Sequence, residues 1–177
     1  APGQMIKHYA PNLPTYIINA FAHTEDKDVY DFQINGNSDN NISLNLSKSF
    51  MTNGLLTFKN GLVWQGKSLG WAGSVAGEAV FTTGMVGYVE SLTDPSYAGQ
   101  ILVFAYPLLG NYGVPDFKVW ESKKIQAAGV VVSSATIKAL HHKSRENFSA
   151  WLKRFSIPAL EVFDTRQIVK TLATQGN

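Results

Sequence analysis

Apolar and polar positions alternate with glycine turns over the middle of the chain. Residues 55–58, 63–65, 79–82, 101–105 and 129–132 are short apolar or alternating runs, and each predicts a strand. The runs Ile-Leu-Val-Phe-Ala and Val-Val-Val are continuously apolar, as expected of strands covered on both faces. Asn60-Gly61 between the first two runs predicts a two-residue hairpin, since both residues tolerate positive φ. Towards the C-terminus the period changes to that of a helix. Phe148, Trp151, Leu152 and Phe155 fall on one stripe, with Ser144 as the expected cap, Lys153 and Arg154 in the last turn, and Pro158 as the stop. Ile168, Val169 and Leu172 mark a second helix, opened by Asp164 and Gln167 as a capping box and closed at Gly176. The sum is a mixed α and β fold.

The first 54 residues differ from the rest. They hold eight of the twelve asparagines and a formal charge of −2, against +4 for 55–177, which places a domain boundary near Gly54. Residues 29–34 and 42–46 alternate in polarity around an Asn/Gly/Ser/Asp-rich stretch, and predict an appended β-hairpin. The function of this extension is not legible in its sequence.

Composition narrows the chemistry. Hydrophobic residues at 45% and charged residues at 16% fit a globular protein, and a net charge of +2 gives no nucleic-acid footprint. No apolar run has the roughly 18 residues of a membrane span. The chain has no cysteine, which removes disulfides, thiolate metal ligands and a cysteine nucleophile.

Several motifs invite chemistry. Gly61-Leu62-Val63-Trp64-Gln65-Gly66-Lys67-Ser68 fits the phosphate-binding loop pattern, but that loop needs a helix directly after it. Leu-Val-Trp-Gln favours a strand, and Gly70 and Gly73 break a helix, so the stretch is expected to be a hairpin. Gly66-Lys67-Ser68-Leu69-Gly70 meets the nucleophile-elbow pattern and fails on the same ground. His141-His142 lacks ligands at helical spacing, and Glu25, Asp26, Asp28 and Asp31 read as a solvated edge. Leu92-Thr93-Asp94-Pro95-Ser96-Tyr97 is required by no fold rule; its local chemistry allows a tight turn or a site.

Residues 73–113 decide between these. Gly77-Glu78, Val80-Phe81-Thr82-Thr83-Gly84-Met85, Gly87-Tyr88 and Glu90 are followed by Leu92-Thr93-Asp94-Pro95-Ser96-Tyr97-Ala98-Gly99-Gln100-Ile101. Tyr106-Pro107 and Leu109-Gly110-Asn111-Tyr112-Gly113 close the run, with Ile157-Pro158-Ala159 and Asp164-Thr165-Arg166 beyond it. In that order they resemble the N-terminal domain of the small, glutamine-using chain of carbamoyl-phosphate synthetase. The resemblance implies a three-layer β/β/α swivelling domain over 55–177 that docks against the large chain and abuts a C-terminal glutaminase domain. That second domain carries the family's cysteine nucleophile, so this chain is expected to be non-catalytic, with no cofactor of its own. The resemblance also implies that Ser96 reaches across the domain boundary to glutamine, while Thr93, Asp94 and Tyr97 frame it. A cytoplasmic heteromer feeding arginine or pyrimidine synthesis follows from the same likeness. The rival expectations are a nucleotide-binding protein using 61–68 and a free-standing interaction module. An apolar docking surface is expected around 106–112 and 117–120.

Overall fold

The computed structural model describes residues 16–20, 53–136 and 144–175. Among these, eight strands form one sheet: β1 (Tyr16–Ala20), β2 (Asn53–Thr57), β3 (Val63–Ser68), β4 (Ser74–Gly77), β5 (Ala79–Thr82), β6 (Ile101–Phe104), β7 (Gly129–Val132) and β8 (Ala159–Glu161). Three helices accompany them: α1 (Tyr88–Thr93), α2 (Phe148–Arg154) and α3 (Thr165–Gln175). The strand order is β4-β1-β2-β3-β8-β7-β6-β5. β5 to β8 run parallel, while β4, β1, β2, β3 and β8 pair antiparallel. The two outer strands, β4 and β5, are joined through Glu78 alone, so the sheet must curl until its ends meet. Gly77 stands at that junction, where a Cβ would lie 2.6 Å from the Gly99 carbonyl oxygen.

The continuous apolar runs behave as their composition demands, with every residue of β6 and β7 buried. Their side chains alternate between two cores. Leu102, Phe104, Val130 and Val132 face α1 and α2, where Tyr88, Val89, Leu92, Phe148, Trp151 and Leu152 are buried. Ile101, Val103, Val131 and Leu160 face Ile168 and Leu172 of α3 together with Leu56 and Phe58. Both predicted helical stripes therefore point inward. Ser149 Oγ donates to the Leu69 carbonyl and fastens α2 to the segment after β3.

Two local expectations are corrected. The cap of α2 is Asn147, whose side chain accepts from the Ala150 N–H at 2.8 Å. Ser144 lies three residues too early, and its hydroxyl donates to the Glu146 carbonyl instead. The hairpin between β2 and β3 is not a two-residue turn. Phe58 N–H bonds the Leu62 carbonyl (2.8 Å) and Gly61 N–H the Phe58 carbonyl (3.0 Å), so three residues separate the closing pair; only Gly61 of them takes positive φ, at 86°, and the Asn60 side chain accepts from Leu62 N–H. Gly54 lies in β2, and β1 pairs with both β2 and β4. The expected hairpin over 29–34 and 42–46, the acidic cluster, His141-His142 and Gly176 lie outside the described residues.

The end of α2 shows a backbone device that composition conceals. Ser156 adopts φ 57°, its N–H bonds the Lys153 carbonyl (3.0 Å), and the Ile157 N–H bonds the Leu152 carbonyl (2.9 Å). This paired closure normally employs glycine at the left-handed position. Here a serine occupies it.

Candidate functional site

α1 ends because of its own sequence. Pro95 disfavours helical backbone at the residue before it, and Asp94 is extended (φ −69°, ψ 123°). A 3-10 turn, Pro95–Tyr97, follows. Asp94 Oδ1 accepts from Ser96 N–H at 2.8 Å, and the Asp94 and Pro95 carbonyls accept from Tyr97 and Ala98 N–H at 3.1 Å each. Ser96 is exposed on the crest, and its hydroxyl has no hydrogen-bond partner among the described residues.

The neighbours predicted to frame Ser96 are fixed. Thr93 is fully buried; its Oγ1 donates to the Val89 carbonyl (2.9 Å) and accepts from Glu121 N–H (3.0 Å). Tyr97 is buried in the core that holds α1. Burial raises its pKa above the ordinary tyrosine value, the Asp94 charge adds to this, and a hydrogen bond with Thr82 partly offsets it. Tyr97 therefore stays a neutral phenol at physiological pH. Thus Thr93 and Tyr97 anchor, Asp94 caps through Oδ1, and Ser96 offers a hydroxyl without a partner at the crest.

The start of α1 is held from far along the chain. Gly87 (φ 81°) provides no side-chain cap, and the Tyr112 hydroxyl oxygen accepts from both Gly87 and Tyr88 N–H at 3.1 Å. Tyr88 stacks on Tyr112 with ring centroids 4.3 Å apart and donates to the Gly113 carbonyl (2.5 Å). Burial raises the pKa of Tyr88 strongly, with Tyr112 and Glu90 adding to it. Tyr112 had no local signal as a cap, because its partners lie about 25 residues away in sequence.

Apolar side chains surround this region. Met85 is 72% and Val86 80% exposed beside α1, and Leu108 is partly exposed. In the second expected surface, Phe117 is 66% exposed and Val119 is exposed, while Trp120 turns inward onto Trp151 and Phe155. The expected apolar segments are therefore mixed, with Leu109 and Gly110 buried between exposed neighbours.

Residues 61–68 form a turn and β3, followed by Leu69, Gly70 and Trp71 outside any helix. No helix N-terminus is available for a phosphate there. Gly66 serves the packing of the sheet. A Cβ on it would sit 2.3 Å from the Glu161 carbonyl oxygen, so glycine lets β3 approach β8. Among the described residues no group of three or more His, Cys, Asp or Glu could hold a metal, and no helix is long and apolar enough to cross a membrane.

The sequence profile of the carbamoyl-phosphate synthase small chain, CPSase domain, matches residues 56–177. The chain is 46% identical over 135 residues to the carbamoyl phosphate synthase arginine-specific small chain of Phaeosphaeria nodorum, covering 72% of this chain and 28% of that one. It is 49% identical over 130 residues to the protein so named from Yarrowia lipolytica, covering 68% and 29%. The Aspergillus niger protein of that name is 48% identical over 129 residues, covering 68% and 28%. The chain thus spans less than a third of the length of these relatives. With β3 onward inside the matched region and the Ser96 turn within it, the chain belongs to the carbamoyl-phosphate synthase small chain family, through its CPSase domain.

Proposed function

We propose that this chain is the non-catalytic N-terminal domain of a glutamine-hydrolysing small chain, and that it contributes one substrate contact, the Ser96 hydroxyl. The observation that carries the reading is an exposed hydroxyl without a partner on a turn held by buried Thr93 and Tyr97 and by the Asp94 cap. A hydroxyl both donates and accepts, so it suits glutamine presented by an adjoining glutaminase domain. The curled sheet with helices on its faces fits a three-layer β/β/α swivelling domain. The exposed Phe117, Val119, Met85 and Val86 suit docking against a large chain and the glutaminase domain. The names of the relatives favour arginine synthesis over pyrimidine synthesis.

The domain carries no thiol, and among the described residues the serine hydroxyls that donate do so to backbone carbonyls, none to a carboxylate or histidine. Incubated alone with glutamine, the chain should release no glutamate above a buffer blank. Release that a point substitution in this chain abolishes would overturn the non-catalytic reading. Micromolar ATP binding lost in Lys67→Ala would favour a nucleotide site instead.

A further inference from the structure

α1 is only six residues long, and its last carbonyls need partners outside the helix. Pro95 holds Asp94 extended and has no N–H to return to them. The partners come from a loop about 30 residues further along. Gln126 N–H donates to the Leu92 carbonyl (2.8 Å), and Ser122 Oγ donates to the Thr93 carbonyl (2.5 Å). A hydroxyl has one proton, so this short bond prevails over the Lys124 carbonyl at 3.0 Å. Gln126 Nε2 donates to Ser122 Oγ (3.0 Å) and fixes which way the hydroxyl turns. On the far side of the turn, Gly99 N–H donates to the Gln126 carbonyl (3.1 Å) and Ala128 N–H to the Gln100 carbonyl (2.8 Å). One loop therefore grips the Ser96 turn before and after the serine.

We infer that Ser122 and Gln126 are positioning residues for the Ser96 hydroxyl, acting through the turn without touching substrate. This rests on the reading of Ser96 as a glutamine contact. Removing the Ser122 hydroxyl frees the Thr93 carbonyl and lets the turn shift, which should weaken glutamine use and leave ammonia use alone.

The test is steady-state kinetics on the complete small chain assembled with its large chain. Ser122→Ala should raise the glutamine KM about threefold to tenfold, the effect of one ordinary hydrogen bond, with kcat held within about twofold. Ser122→Thr keeps the hydroxyl and should restore the KM. Gln126→Leu, which leaves the Ser122 hydroxyl in place but unoriented, should raise KM about twofold and serves if Ser122→Ala fails to fold. Ammonia-supported synthesis should be unchanged in all three. A raised KM in Ser96→Ala with wild-type KM in both Ser122→Ala and Gln126→Leu overturns this inference alone. An unchanged KM in Ser96→Ala overturns the reading beneath it and the inference together.

Discussion

Tyr112→Phe removes one oxygen and keeps the ring. That oxygen accepts from Gly87 and Tyr88 N–H at 3.1 Å each, and no side chain at Gly87 can replace it. Losing a helix N-terminal acceptor typically costs about 1 kcal/mol, and a partly buried donor left unpaired costs about 1–3 kcal/mol. Because the stack on Tyr88 survives, the expected loss is about 1–2 kcal/mol. For a chain of 177 residues this is a fall in Tm of roughly 2–8 °C. Urea unfolding followed by tryptophan fluorescence reads it as a lower midpoint with an unchanged slope. Alanine would also lose the ring packing and cannot isolate the hydroxyl. A Tyr112→Phe midpoint within about 0.5 kcal/mol of wild type would refute the long-range cap.

Other substitutions test the backbone and the buried phenols. Ser156→Gly should stabilise by about 0.5–1 kcal/mol, since glycine takes the left-handed position without serine's penalty; a loss of stability would count against the closure described at the end of α2. Gly66→Ala should destabilise by about 1–3 kcal/mol because its Cβ meets the Glu161 carbonyl, whereas Gly61→Asn, with nothing within 4 Å but held at φ 86°, should cost only the left-handed backbone penalty of about 0.5–1 kcal/mol in the same melt. Stability should fall as pH rises above about 10: the unfolded chain releases the Tyr88 proton there, while the folded chain, with its pKa raised, retains it. Tyr88→Phe should flatten that alkaline slope, and an unaltered slope would remove Tyr88 as its source.

Much of the fold was legible where periodicity speaks for itself. The strands at 79–82 and 129–132 coincide with β5 and β7, and the stripes through Phe148, Trp151, Leu152, Ile168 and Leu172 are buried. Asp164 does receive the Gln167 N–H, so half of the expected capping box is present. What stayed hidden depends on distant partners. β8 is three residues long, and its strand conformation is decided by β3 and β7 on either side. α1 carries only six residues and borrows both ends, from Tyr112 and from the loop at 121–126. Ser96 could be singled out by resemblance, but nothing in the sequence marked Ser122 or Gln126. Their role is a set of hydrogen bonds spanning about 30 residues.

The central claim is that a domain without catalytic residues still touches glutamine through Ser96. The direct measurement compares glutamine-supported with ammonia-supported carbamoyl phosphate synthesis in the complete enzyme carrying Ser96→Ala. Loss of a hydrogen bond to a charged substrate group, worth about 1.5–3 kcal/mol, should raise the glutamine KM about tenfold to a hundredfold. The rise should fall on KM and spare kcat, because the contact orients the substrate in both ground and transition states. Ammonia-supported synthesis should match wild type, and stability should move by less than about 0.5 kcal/mol, since the lost hydroxyl is exposed. An unchanged glutamine KM in a well-folded Ser96→Ala enzyme, or an equal loss with ammonia, would contradict the account.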